Sequence, residues 1–149
     1  MPYSVEVSPG VLLFFRREGR YGLHLRKTGF NKGMYGAPGG HNEGLEPYEA
    51  CAIREAQEEL GIRLRPENLE FAHFLYRKGH RNGDGQHSLR PNLCFRIEKW
   101  KGEIKNPEPE KHGEMEWFDP QKLPRKTVPF VRQVIKKIES GIYYSTYGF

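Results

Sequence analysis

The stretch from Gly40 to Ile62, GHNEGLEPYEACAIREAQEELGI, limits what this chain can be more than any other. It follows a glycine-rich turn, Ala37-Pro38-Gly39-Gly40, and reads as a helix from Pro47 to Gly61. Proline suits a first helical turn, and glycine suits a left-handed C-terminal cap. At about 100° per residue, Ala52, Ile53, Ala56 and Leu60 form the core stripe. Glu55, Glu58 and Glu59 fall on another arc, three and four residues apart. Glu55 and Glu59 repel each other, and Arg54 offsets only part of this through Glu58. A solvated face would interleave lysines. Six acids and one arginine lie between Gly39 and Ile62, a net charge of −5 in a chain of +5. An acidic island in a basic chain suits a cation held by carboxylates and an anionic ligand drawn to its surroundings. The expectation is a divalent-metal site that handles phosphates, weighed against a merely charged helix face.

The 149 residues favour one domain, 1–149, with a core of its own. An apolar share of 36% and a charged share of 29% fit a soluble globular protein. The longest apolar run, Val11 to Phe15, is a strand rather than a membrane span, which needs about 18 apolar residues. The opening Met1-Pro2-Tyr3-Ser4-Val5-Glu6 lacks a basic region leading into an apolar one. Cys51 and Cys94 form neither a disulfide framework nor a metal pattern and read as reduced core residues. The expected location is cytoplasmic, with no membrane partner. No specific nucleic-acid partner is expected, because no Lys/Arg block or binding motif stands out.

Val5 and Val7 alternate with polar residues. Val11–Arg16 and Tyr21–Arg26 read as a hairpin across Glu18-Gly19-Arg20, with Leu23 and Leu25 on one face and His24 and Arg26 on the other. Arg26 and Lys27 lead into the loop Thr28–Gly40, whose glycines allow close backbone approach to a ligand. They are candidate phosphate contacts. Leu69–Arg77 and Leu93–Trp100 read as strands around a turn-rich loop, Gly79–Ser88. His73, His80 and His87 lack metal-ligand spacing and are ordinary histidines. Asn106–Gly113 is a proline-broken acidic loop, Met115–Phe118 a short strand, and Val128–Ile138 an amphipathic helix. The aromatic tail, Ile142–Phe149, packs on the domain or on a second copy, so a homodimer is one option.

These residues resemble the Nudix hydrolases. The family box is filled by Gly40, Glu46, Arg54, Glu55, Ala56, Glu58, Glu59, Gly61 and Ile62, with Ala56 where a larger aliphatic is usual. Pro38-Gly39 before it is also typical. Val11–Arg26 resembles the first hairpin, Trp117-Phe118 with Leu123-Pro124 the late strand and turn, and Glu108–Lys111 a loop of MutT-like members. The resemblance implies an α/β fold, an α/β/α sandwich with a mixed central sheet. It implies hydrolysis of a nucleoside diphosphate linked to another group, with magnesium or, alternatively, manganese. Carried over, Glu55, Glu58 and Glu59 bind metal with the Gly39 carbonyl, Arg54 orients a glutamate, and Glu46 is structural. Glu110 is the candidate late-loop ligand, with Glu108 and Glu114 as alternatives. Glu58 is the candidate general base and Glu110 its rival; Arg26 and Lys27 contact the outer phosphates.

The resulting expectation is a nucleoside triphosphate cut to monophosphate and pyrophosphate. A nucleotide sugar or dinucleotide is the alternative, lowered by the lack of any proline between Pro66 and Pro91 where ADP-ribose hydrolases carry one. Related isopentenyl diphosphate isomerases use a cysteine near the site, and none lies between Met1 and Glu49. A silent nucleotide- or RNA-binding module usually loses box glutamates, and here all are present. Base-contacting residues are not readable; Tyr35, Phe74, Tyr76 and Trp117 could stack on a base but are more often core.

Overall fold

The computed structural model describes residues 4–79 and 87–149. Nine strands are described: β1 (Val5–Val7), β2 (Gly10–Arg17), β3 (Arg20–Leu25), β4 (Tyr35–Gly36), β5 (Gly39–His41), β6 (Glu70–Lys78), β7 (His87–Ile97), β8 (Glu116–Phe118) and β9 (Tyr144–Tyr147). Two α-helices, α1 (Tyr48–Leu60) and α2 (Pro129–Glu139), flank them. β2 is the organising strand. Its first six residues are buried, as expected for a strand covered on both faces. Strand alternation sends Val11, Leu13 and Phe15 into a cluster with Cys51, Ala52, Ala56 and Leu60 of α1. It sends Leu12 and Phe14 into a second cluster with Val131, Val134 and Ile135 of α2. The result is an α/β/α sandwich around a mixed sheet, as the family resemblance implied.

The strand order is β4-β3-β2-β7-β6-β9, with β1 on β7, β5 on β2 and β8 on β3. β2 and β7 run parallel, from Gly10 opposite Asn92 to Phe15 opposite Ile97. β6 and β7 are antiparallel, with a register shift between Phe71 and His73. The loop expected over Gly79–Ser88 and His80 within it fall largely outside the described residues. β5 pairs antiparallel with β2, Leu12 opposite Gly39, which pins the glycine turn to the sheet.

Helix α1 starts at Tyr48, and Pro47 is its extended N-cap rather than its first helical residue. The cap at Gly61 is left-handed, φ +64°, as its position suggested. The aromatic tail packs on its own domain as strand β9, parallel to β6. Tyr143, Tyr144 and Phe149 stack on Phe71, Phe74 and Tyr76. These stacks lie on the outside of the fold, where Phe71, Tyr143, Tyr144 and Phe149 stay exposed.

His24, on the face of β3 opposite Leu23, is buried. It is 3% exposed, stacked on His112 with ring centroids 4.1 Å apart, and its Nδ1 has no partner among the described residues. Burial first, then the charge of His112, hold the His24 imidazole down at about 3. In the unfolded chain the group titrates near 6.5. Below that pH the unfolded state takes up a proton that the folded state refuses, so stability falls as pH drops from about 6.5 towards 3. His73 and His112, also depressed by burial, add to the loss. Each such group contributes up to about 1.4 kcal/mol per pH unit in its window. His24→Phe keeps the ring stack and is expected to flatten the acid side of a Tm-against-pH curve. An unchanged slope would show that His24 does not carry it.

Candidate functional site

Helix α1 presents its glutamates beside the glycine turn because β5 and α1 are held against the same end of β2. The centre of the site is Arg54. Its Nε and Nη2 donate to the two Glu46 carboxylate oxygens at 2.8 and 3.0 Å, a bidentate pair. Its Nη1 reaches Glu55 at 3.0 Å and Glu58 at 3.3 Å, and Glu43 lies 3.5 Å away. Nη2 also donates to the His41 carbonyl at 3.0 Å. The partnership expected mainly with Glu58 is therefore tightest with Glu46. That bond holds the Glu46 carboxyl down at about 2. Arg54 gathers carboxylates from the turn and from α1 around one guanidinium.

Glu55 and Glu59 lie on the inner side of this cluster. Glu55 is buried, and burial pushes its carboxyl above the usual range, with Arg54 opposing. Glu59 accepts the Gly39 N–H at 2.9 Å. Burial first, then the charge of Glu55, push the Glu59 carboxyl up to about 8. Glu58 stands on the outer side, half-exposed and tied only to Arg54 among the described residues.

The glycines are sterically required. A Cβ on Gly39 would sit 2.2 Å from the Val11 carbonyl oxygen, against backbone that cannot yield. A Cβ on Gly40 would sit 2.2 Å from a Glu55 carboxylate oxygen, at the end of a side chain that can move. Gly40→Ala is thus expected to leave the fold intact while displacing Glu55. A misplacement of about 1 Å costs on the order of 10²-fold in rate. The check is turnover beside a thermal melt: an unaltered rate would show that the position of Glu55 does not matter.

Among the described residues no three His, Cys, Asp or Glu side chains are gathered into a ready metal cage. Arg54 holds Glu55 and Glu58, and among the described residues the Glu59 carboxylate has only a backbone donor. The donor set still fits a hard divalent cation. It offers carboxylate oxygens, two of them on inner carboxyls whose proton affinity burial raises.

The remaining candidates separate. Glu108 is the late-loop carboxylate whose charge reaches both Glu55 and Glu59. Glu110 is exposed, and its charge is felt at Lys111. Glu114 lines a separate cleft with Arg17 and Trp117. Lys27 Nζ donates to the Pro109 carbonyl at 3.0 Å, which binds it to the late loop. Arg26 Nε donates to the Phe30 carbonyl at 2.8 Å, and Arg26 lines the main cleft. That cleft, about 370 Å³, also takes in Gly39, Gly40, Glu59, Phe130, Arg77 and Arg90. The aromatics proposed for stacking have internal partners. Tyr35 donates to Glu116, and Trp117 stacks on Trp100 under Arg17. Sequence reading missed Arg77, Arg90 and His41. The signal was the hairpin register, which sets Arg77 opposite Arg90.

The family model described as "NUDIX domain" matches residues 6–138. The chain is 35% identical over 130 residues to a Chromobacterium violaceum protein named NAD-capped RNA hydrolase NudC, covering 85% of this chain and 43% of that one. A protein of the same name from Pseudomonas aeruginosa is 32% identical over 118 residues, covering 79% and 38%. The chain thus spans less than half the length of these curated relatives. Among solved structures, a MutT NUDIX hydrolase from Burkholderia pseudomallei superposes with a TM-score of 0.74 at 28% identity, covering 88% of this chain and 97% of that one. The E. coli ORF135 protein, at 18% identity and a TM-score of 0.70, covering 91% of each chain, shares the fold.

Proposed function

The chain belongs to the Nudix family of hydrolases that act on pyrophosphate bonds, and from that premise we propose that it cleaves a nucleoside diphosphate linked to a further group, with magnesium. One observation carries the reading: an Arg54-centred carboxylate cluster opens, through Glu59 and Gly39, onto a cleft walled by arginines. Carboxylates suit a hard cation, and arginines suit phosphate oxygens.

Glu55, Glu58 and Glu59 would hold the ion, with the Gly39 carbonyl and Glu108 or Glu110 as further ligands. When bound, magnesium neutralises phosphate charge and acidifies water. The chain's own residues do the rest. A glutamate left off the ion would take the proton from water, and Glu58, half-exposed and 3.3 Å from Arg54, is the candidate. Arg54 fixes Glu55 and Glu46 so that the helix presents its carboxylates in one arrangement. Arg26, which lines the cleft, and Lys27, next to it in the chain, would serve as partners for outer phosphates.

The first substrate reading is a nucleoside triphosphate, giving monophosphate and pyrophosphate. It is supported by the likeness to the Burkholderia MutT NUDIX hydrolase. A second reading, a diphosphate joining two nucleosides, is favoured by the NudC relatives, named as hydrolases of NAD-capped RNA. A panel of nucleoside triphosphates, dinucleotides and nucleotide sugars, assayed for phosphate, pyrophosphate and nucleotide release, tests both. Release of pyrophosphate from a triphosphate supports the first. Two nucleoside monophosphates from a dinucleotide support the second. No turnover of any of them with magnesium would overturn the proposal.

A further inference from the structure

One wall of the main cleft is charged in a way that the cleavage of a diphosphate leaves unexplained. Arg77 of β6 lies directly opposite Arg90 of β7. Like charges directly opposite on a sheet are destabilising. Both are half-buried and both line the cleft with Asn92 and Phe130. Each guanidinium is braced by neutral groups. Arg77 Nε donates to Asn92 Oδ1 at 2.7 Å, and its guanidinium carbon lies 4.3 Å from the Phe130 ring centroid. Arg90 Nη1 lies 3.1 Å from His41 Nε2. Among the described residues neither arginine has a carboxylate partner within ion-pair distance. Arg96, on the same strand as Arg90, has two, Glu70 and Glu98. Two braced guanidinia side by side in a cleft, neither ion-paired to a carboxylate among the described residues, match the oxygens of a phosphate.

The diphosphate that would be cleaved belongs to the Glu55–Glu59 side of the cleft, with Arg26 and Lys27 beside it. We propose that Arg77 and Arg90 form a second anion site that takes a ribose-linked phosphate of the substrate, outside the linkage being hydrolysed. The inference rests on the hydrolase reading above and narrows its substrate class. The enzyme would favour nucleotides whose nucleoside arm carries its own phosphate, as a 3′-monoester or as the next phosphodiester of a chain. His41, next to Gly40 of the box, links the two sites: its carbonyl accepts from Arg54 while its ring contacts Arg90.

The test uses equal phosphate counts. For each of the four common bases, affinity is measured without metal for the nucleoside 5′-diphosphate and for the 3′,5′-bisphosphate. The wild-type chain is expected to bind the bisphosphate of at least one base about tenfold more tightly, the scale of one charge-assisted hydrogen-bonded contact. Arg90→Gln should abolish that preference, and Arg90→Lys should keep part of it. Because the substitution relieves like-charge repulsion, Arg90→Gln should melt no lower than wild type, so loss of binding is not loss of fold. A dinucleotide with an internal phosphodiester then separates the sources: an Arg90-dependent gain extends the site to a chain phosphate, and its absence confines it to the monoester. No bisphosphate preference with any base, or one that survives in Arg90→Gln, overturns the inference. So does an Arg90-dependent preference for triphosphate over diphosphate, which would put these arginines on the outer phosphates. Failure of the hydrolase reading shows separately, as absence of turnover with magnesium while the metal-free preference persists.

Discussion

Glu58→Gln is expected to lower turnover by about 10²–10⁴-fold, the range for loss of a positioned general base, with little change in stability. The two effects separate because of where Glu58 sits. It is half-exposed, and its only described partner is Arg54 at 3.3–3.4 Å. Exposed pairs of this kind contribute at most about 1 kcal/mol. Glutamine keeps the shape and the hydrogen-bonding oxygen but cannot accept and hold a proton. Glu110→Gln supplies the contrast, since Glu110 is exposed on the late loop. If Glu110→Gln collapses turnover and Glu58→Gln does not, the base is on the late loop. Steady-state rates beside thermal melts of both variants decide it.

The second large effect is at Arg54. Glu46 and Glu55 are 14% and 12% exposed in their side chains, and Arg54 is 22% exposed. Removing the shared cation leaves these carboxylates facing one another without compensation. Stranding a buried charged partner costs 3–5 kcal/mol, and partial exposure puts this cluster at the low end, about 3 kcal/mol. For a chain of this size that is a fall in Tm of roughly 6–12 °C. Arg54→Gln should therefore lose both activity and stability. Arg54→Lys is the informative variant. It restores a positive charge but not the fork that grips both Glu46 oxygens while reaching Glu55. Stability should recover in part while turnover stays low. Full activity in Arg54→Lys would show that charge alone suffices and that the fork geometry is irrelevant.

The helix and its carboxylates were legible in the sequence because their determinants are local. The 3.6-residue period, the C-terminal glycine and the spacing of Glu55, Glu58 and Glu59 all lie within one turn or two of each other. β2 was legible for a similar reason, as an uninterrupted apolar run. What escaped depended on distant pairing. The aromatic tail has strand-like residues, but only the exposed edge of β6 makes Tyr144–Tyr147 a strand. Alternation puts His24 opposite Leu23 and Leu25, but only the fold shows that the late loop's His112 stacks on it. Glu108 and Glu110 are two residues apart in a proline-broken loop, and no periodicity tells which one turns towards α1. Arg77 and Arg90 look like ordinary strand charges until the β6–β7 register brings them face to face.

We propose the Arg54-centred glutamates as a divalent-metal site for cleaving a diphosphate linkage. Its most direct test is the rate of hydrolysis across the nucleotide panel as magnesium is titrated into metal-free protein, for wild type and Glu55→Gln in parallel. The expected result is no turnover without metal, a saturable rise with magnesium for at least one diphosphate-linked nucleotide, and a curve for Glu55→Gln that is flattened and shifted to higher magnesium. Turnover that is undiminished in chelator, or a Glu55→Gln curve that overlies the wild type, would contradict it.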